Sequence, residues 1–232
     1  VVGGAGASHT LGKLGAISTL AGAFTVAMAA ALTVFFMTRL RLPVSTSQAI
    51  VGAIIGWNFF AGLQTDVSVV TKIVGTWLFC PILAMIFAFL IFFVVKFVVQ
   101  NSKIHLFRLD SYTRTALVVV GAFGSYSLGA NNIANVMGVF VSSSPFETLN
   151  FGVFSITDAQ QLFFIGSIAI ALGVFTYSKR VMDTVGTNIY TLSPLAALVV
   201  VLSASLVLFI FSSRELQQLF MVVGLPPIPL VP

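Results

Sequence analysis

Two runs of neutral polar residues interrupt an otherwise apolar chain, and their side-chain types limit the chemistry they can do. The first is Ser45, Thr46, Ser47 and Gln48, which follows Pro43-Val44 and leads into Ala49-Ile50-Val51-Gly52-Ala53. Proline suits a first helical position because its missing N–H would be unpaired there anyway, and a nearby Ser or Thr caps the free N–H groups. The run therefore predicts a helix that begins at Pro43 with its backbone donors and positive dipole end pointing outward, which favours an anion. Plain capping of a helix is the simpler reading. Three hydroxyls and an amide in succession exceed what a cap requires.

The second run is Ser125-Tyr126-Ser127-Leu128-Gly129-Ala130-Asn131-Asn132-Ile133-Ala134-Asn135. An asparagine is costly in an apolar medium unless its amide is hydrogen-bonded, so three within five residues point to a polar interior or a ligand. Asn131 and Asn135 share a helix face at a spacing of i and i+4, and Gly129 offers a place for the backbone to break. Asn carbonyls can ligate a hard cation, and Asn amides can donate to an oxyanion. The plainer alternative is hydrogen-bonding glue between helices.

Equally telling is what the apolar stretches lack. No Lys, Arg, Asp or Glu falls in the middle of any of them, and there are no paired carboxylates, Ser/His/Asp arrangement, phosphate-cradling glycine loop or Cys/His metal spacing. No covalent chemistry and no cofactor are expected. An anion held here would rely on helix N-termini, hydroxyls and amides, with a co-bound cation to offset its charge.

The elements that must position these runs follow from composition. Of 232 residues, 58% are apolar and 7% charged, whereas a soluble domain carries about 25% charged residues. A water-soluble globule is excluded, and so is disorder, which needs few apolar residues and much charge. The net charge of +5 arises from 11 Lys+Arg against 6 Asp+Glu. So sparse a basic excess reads as membrane-flanking charge and argues against nucleic-acid binding. The lone Cys80 allows no internal disulfide.

A bilayer core needs about 20 residues of apolar helix, and the stretches 14–38, 43–60, 69–98, 115–141, 159–177 and 194–211 approach that length. The second is short. The third contains Pro81, where a kink or division is expected, and the fourth is expected to break near Gly121, Gly124 and Gly129. If all six cross, Arg39, Arg41, Lys96, Lys103, Arg108, Arg114, Lys179 and Arg180 lie inside and Lys13, Lys72 and Arg214 outside. That distribution obeys the positive-inside rule. A re-entrant 43–60 would move Arg39 and Arg41 outside and leave no clear bias.

The order apolar helix, charged connection, Leu-Pro occurs around Arg41-Leu42-Pro43 and again through Arg214 to Gly224-Leu225-Pro226. Five intervening crossings would make the two copies antiparallel, the inverted-repeat plan of secondary transporters. The expected organisation is the end of a first repeat over 1–98, a basic cytoplasmic connection over 99–114, and a second repeat over 115–232 that stops before its own second signature. The chain starts at Val1 without Met or a visible signal peptide, and it is expected to be the middle of a longer protein.

Taken together, Pro43-Val44-Ser45-Thr46-Ser47-Gln48-Ala49-Ile50-Val51-Gly52-Ala53 and Gly129-Ala130-Asn131-Asn132-Ile133-Ala134-Asn135 resemble the two signatures of the inorganic phosphate transporter (PiT) family. Lys179-Arg180-Val181 with Thr184-Val185-Gly186 is similar to that family's connection between later helices. The resemblance implies an all-α, polytopic helical transporter of the cell membrane, with inverted repeats and broken helices at mid-membrane. It implies uptake of inorganic phosphate coupled to sodium by alternating access. Phosphate would be bound by Ser45, Thr46, Ser47, Gln48, Asn131 and Asn132, and sodium by Asn131, Asn132, Asn135 and Ser127. Asn132 stands where the family usually has Asp, which alters the expected charge balance of this half. The implied partners are phosphate, sodium, the lipid bilayer and a second copy in a homodimer. Sulfate or another oxyanion as cargo, proton coupling, and a channel or non-transporting sensor are the alternatives.

Overall fold

The structure is a computed structural model, and it describes residues 11, 14, 17, 19–40, 42–102, 105–150, 155–188 and 192–222. Among these the order is α1 (Leu20–Arg39), α2 (Thr46–Ala61), α3 (Val67–Asn101), α4 (Leu106–Met137), a 3-10 segment (Gly138–Ser143), strands β1 (Leu149–Asn150) and β2 (Ser155–Ile156), α5 (Asp158–Asn188), α6 (Pro194–Ser212) and α7 (Arg214–Val222). The two strands form a small antiparallel ribbon in the connection before α5.

Helices start where a polar side chain can accept from a freed N–H group. Thr19 does this for α1, Ser45 for α2, Asp66 for α3 and Ser193 for α6. α2 stops at Gly62, whose φ of 67° lies in the left-handed region that costs glycine nothing.

Five described helical stretches are long and apolar enough to cross a bilayer: Leu20–Arg39, Val67–Asn101, Phe107–Ser143, Asp158–Lys179 and Pro194–Ser212. The chain is thus an all-α, multi-pass membrane protein. The sequence predicts six such spans, and the stretch 43–60 is the one that falls short. Its helix begins at Thr46 rather than Pro43 and has 16 residues, about 24 Å against a core of about 30 Å. The late start has a local cause, since Ser45 serves as the cap and residues 42–45 are non-helical.

Two expected interruptions are also absent. α3 runs undivided through Pro81 for 35 residues, and α4 runs unbroken through Gly121, Gly124 and Gly129 for 32 residues. At Gly124 the missing side chain serves packing instead. A Cβ on Gly124 would lie 2.8 Å from Ser205 Oγ of α6, so its absence lets the two helices approach closely. The change of backbone form comes later, at Gly138, where α4 tightens into the 3-10 segment. The connection expected over 99–114 is mostly helix end, with α3 reaching Asn101 and α4 starting at Leu106.

Packing settles which elements can meet. Gly22, near the start of α1, faces Trp57, near the end of α2, and a Cβ there would come within 2.8 Å of the indole ring. α1 and α2 therefore form an antiparallel hairpin. Its apolar seam joins Ala23, Val26 and Ala30 to Ile50, Val51 and Ile54, with Val69 and Ile73 of α3 and Val139 of the 3-10 segment closing the cluster. α6 packs against both α3 and α4, and α5 packs on α4 through Gly166, beside Ile133 and Met137. Of the second copy of the expected repeat, the apolar helix is α6, and the Leu-Pro end, residues 224–232, lies outside the described residues, as do Lys13, Arg41 and Lys103.

Candidate functional site

The start of α2 is built from Ser45 outward. Ser45 is extended (φ −98°, ψ 122°), and its Oγ accepts from Gln48 N at 3.3 Å while its carbonyl accepts from Ala49 N at 3.0 Å. These two bonds satisfy the third and fourth positions of the turn. The N–H groups of Thr46 and Ser47 have no hydrogen-bond acceptor among the described residues. They are the orphan donors of a helix start, backed by the positive end of a 16-residue dipole.

Against this start lies the last part of α4. Thr46 Oγ1 donates to Asn132 Oδ1 at 3.2 Å, and Asn135 Nδ2 donates to Ser47 Oγ at 2.8 Å. The paired residues are 86 and 88 positions apart in the chain. Asn132 and Asn135 sit three residues apart on α4 and so present neighbouring amides to consecutive residues of α2.

The bonds leave a definite set of groups free. Asn132 has its carbonyl oxygen engaged by Thr46, so its Nδ2 can donate elsewhere. Ser47 accepts from Asn135, so its own O–H can donate elsewhere. Asn135 is 4% exposed, and its Oδ1 is buried without a partner among the described residues. Ser45, Thr46 and Gln48 are exposed, which leaves the cluster open on one side. No charged residue takes part in any of these hydrogen bonds.

The other residues singled out from sequence are placed differently. Asn131 is half-buried on α4, and no hydrogen bond joins its side chain to α2. Ser127 is fully buried, two turns before Asn135, and its Oγ bonds back to the Phe123 carbonyl at 3.0 Å. The Gln48 side chain makes no bond to α4. The cluster is therefore Thr46 and Ser47 with Asn132 and Asn135, capped by Ser45.

One polar residue of the same helix escaped the sequence reading. Asn58, near the other end of α2, has no exposed surface, and its Nδ2 donates to the Leu14 carbonyl at 3.1 Å and to Thr65 Oγ1 at 3.0 Å. Its only signal in the sequence is a single amide within the apolar run Ile54-Ile55-Gly56-Trp57-Asn58-Phe59-Phe60.

Fold and site together define a class: a polytopic helical membrane protein with a neutral, donor-rich cluster where one helix starts against the side of another. A sequence model of the Phosphate transporter family matches residues 1–217, and the chain belongs to that family. It is 26% identical to the "Putative phosphate permease" of Methanocaldococcus jannaschii over 82% of this chain and 56% of the relative. It is 30% identical to the sulfate permease CysP of Bacillus subtilis over 69% of this chain and 42% of the relative. A third relative, the "Probable low-affinity inorganic phosphate transporter" of Bacillus subtilis, is 26% identical over 72% of this chain and 50% of the relative. The chain spans about half the length of these curated relatives. No solved structure matches it.

Proposed function

We propose that the protein carries inorganic phosphate across the membrane in symport with sodium, by alternating access. The observation that carries this reading is the meeting of two sequence signatures, Thr46-Ser47 and Asn132-Asn135, side chain to side chain at a helix start in a member of a phosphate transporter family. A multiply charged anion in an apolar surrounding needs many donors and a compensating charge. The Ser47 hydroxyl, the Asn132 amide and the Thr46 and Ser47 backbone N–H groups supply donors. Sodium supplies the charge, because no Lys or Arg side chain joins the hydrogen bonds of the cluster.

The open face beside Ser45, Thr46 and Gln48 fits a site completed by a second, inverted half. On this reading residues 1–98 and 115–232 belong to the two repeats, and rocking of one against the other exposes the bound ions to each side in turn. Of the four residues that the resemblance assigns to sodium, Asn131 and Ser127 stay on the cation side of the site, while Asn132 and Asn135, paired with Thr46 and Ser47, go to the anion. Reconstituted into proteoliposomes, the full-length protein is expected to show sodium-dependent phosphate uptake that falls at least tenfold in Asn132→Ala. Uptake that is indifferent to sodium removes the coupling, and uptake intact in Asn132→Ala removes the cluster from the site.

A second reading has a specific observation behind it. The 30% identity to a sulfate permease makes sulfate, a tetrahedral oxyanion of the same shape, the competing cargo.

A further inference from the structure

We infer that Asn135 Oδ1 is the atom that tells a protonated oxyanion from an unprotonated one, and so selects phosphate over sulfate. This rests on reading the Thr46–Ser47 and Asn132–Asn135 cluster as the anion site. Phosphate near neutral pH keeps at least one P–OH group and can donate a hydrogen bond. Sulfate is fully ionised there and can only accept.

The cluster is sorted by its own hydrogen bonds into donors and one acceptor. Thr46 fills the Asn132 carbonyl oxygen and turns that amide into a donor. Ser47 is filled as an acceptor by Asn135 Nδ2 and is turned into a hydroxyl donor. With Nδ2 on Ser47, Asn135 Oδ1 lies on the other arm of the amide, enclosed and without a donor among the described residues, as Asn58 Oδ1 is at the far end of α2. Within the cluster it is the one enclosed acceptor left empty among the described residues. An unpaired buried acceptor is costly, and a site built to accept a ligand's O–H rejects an analogue that lacks it, because the site's own group is then stranded. A P–OH group satisfies Asn135 Oδ1, whereas a sulfate oxygen would face it lone pair to lone pair.

The test is competition in proteoliposomes bearing the full-length protein, with labelled phosphate as the transported ion and sulfate and arsenate as competitors. Arsenate keeps an As–OH group and is expected to compete like phosphate, whereas sulfate competes at least tenfold less well. In Asn135→Ala the phosphate-to-sulfate affinity ratio is expected to fall about tenfold. In Asn135→Asp, which retains an acceptor, the ratio is expected to survive. The ratio does not depend on how much protein folds. If Asn135→Ala yields no transport-competent protein, Asn135→Leu decides, since it fills the same space without an acceptor and the ratio must fall as it does in Asn135→Ala.

An unchanged ratio in Asn135→Ala overturns the inference while leaving phosphate transport standing. So does a shift in half-saturating sodium that is equal for both anions, which would assign Oδ1 to a cation. Absence of phosphate uptake by the unmodified protein would instead sink the reading on which the inference rests.

Discussion

The two ends of α2 are each tied to a separate part of the chain by asparagine amides, at one end its own Asn58 and at the other Asn132 and Asn135 of α4, and the two ties differ in their enclosure and partners. At the far end Asn58 is fully enclosed and spends both amide hydrogens on a backbone carbonyl and a threonine of the next connection, while its Oδ1, like that of Asn135, has no partner among the described residues. At the near end Asn132 and Asn135 reach to side-chain hydroxyls beside exposed residues, and they leave an N–H pair and a carbonyl oxygen uncommitted. An amide tied to backbone inside an apolar cluster holds segments together, because separating them strands groups that hydrocarbon cannot satisfy. An amide tied to a hydroxyl at an open helix start holds position loosely and keeps hydrogen-bonding capacity for something else.

This contrast can be broken by experiment, most sharply at its buried end. Asn58→Leu strands the Leu14 carbonyl and Thr65, and it is expected to cost about 2 kcal/mol of stability. Thermal melting in detergent reads this, while the phosphate-to-sulfate preference of the surviving protein stays as it was. A preference that moves with Asn58 would abolish the division between the two ends.

At the open end the effect should be smaller and should fall on binding. Thr46→Val frees the Asn132 carbonyl and lets that amide rotate, and it is expected to weaken phosphate binding about tenfold, about 1.4 kcal/mol. The melting temperature should hardly change. A stability loss as large as that of Asn58→Leu would make the near end another structural tie.

The smallest effect is expected on α4, at Gly129. A Cβ there meets nothing within 4 Å, and the helix around it is unbroken. Gly129→Ala should therefore raise stability by about 0.5–1 kcal/mol through helix propensity, with phosphate affinity intact. Lost transport with retained affinity would show that α4 opens at this glycine during the cycle.

The polar runs were legible in the sequence because neutral amides and hydroxyls in an apolar chain are costly enough to need a reason. The membrane class was equally plain from 58% apolar and 7% charged residues. Helix ends were less so. Pro43 signalled a start, yet Ser45 took the cap and the helix began at Thr46. Gly129 signalled a break, and the backbone kept its helix until Gly138. Both signals describe what a residue permits, and neighbours choose among the permitted states. Asn58 was missed because one amide in an apolar run is indistinguishable from an incidental one until its partners are known.

Sequence alone determined that this chain lives in a membrane, that it is helical there, and that its chemistry belongs to uncharged donors and acceptors at two places. These follow from transfer energies of side chains, which are properties of composition and order. Only the tertiary structure decided which of those groups face each other. Thr46 meets Asn132, Ser47 meets Asn135, and Ser127 turns back on its own helix. The pairing depends on how α4 packs against the start of α2, which is set by contacts between residues more than 80 positions apart.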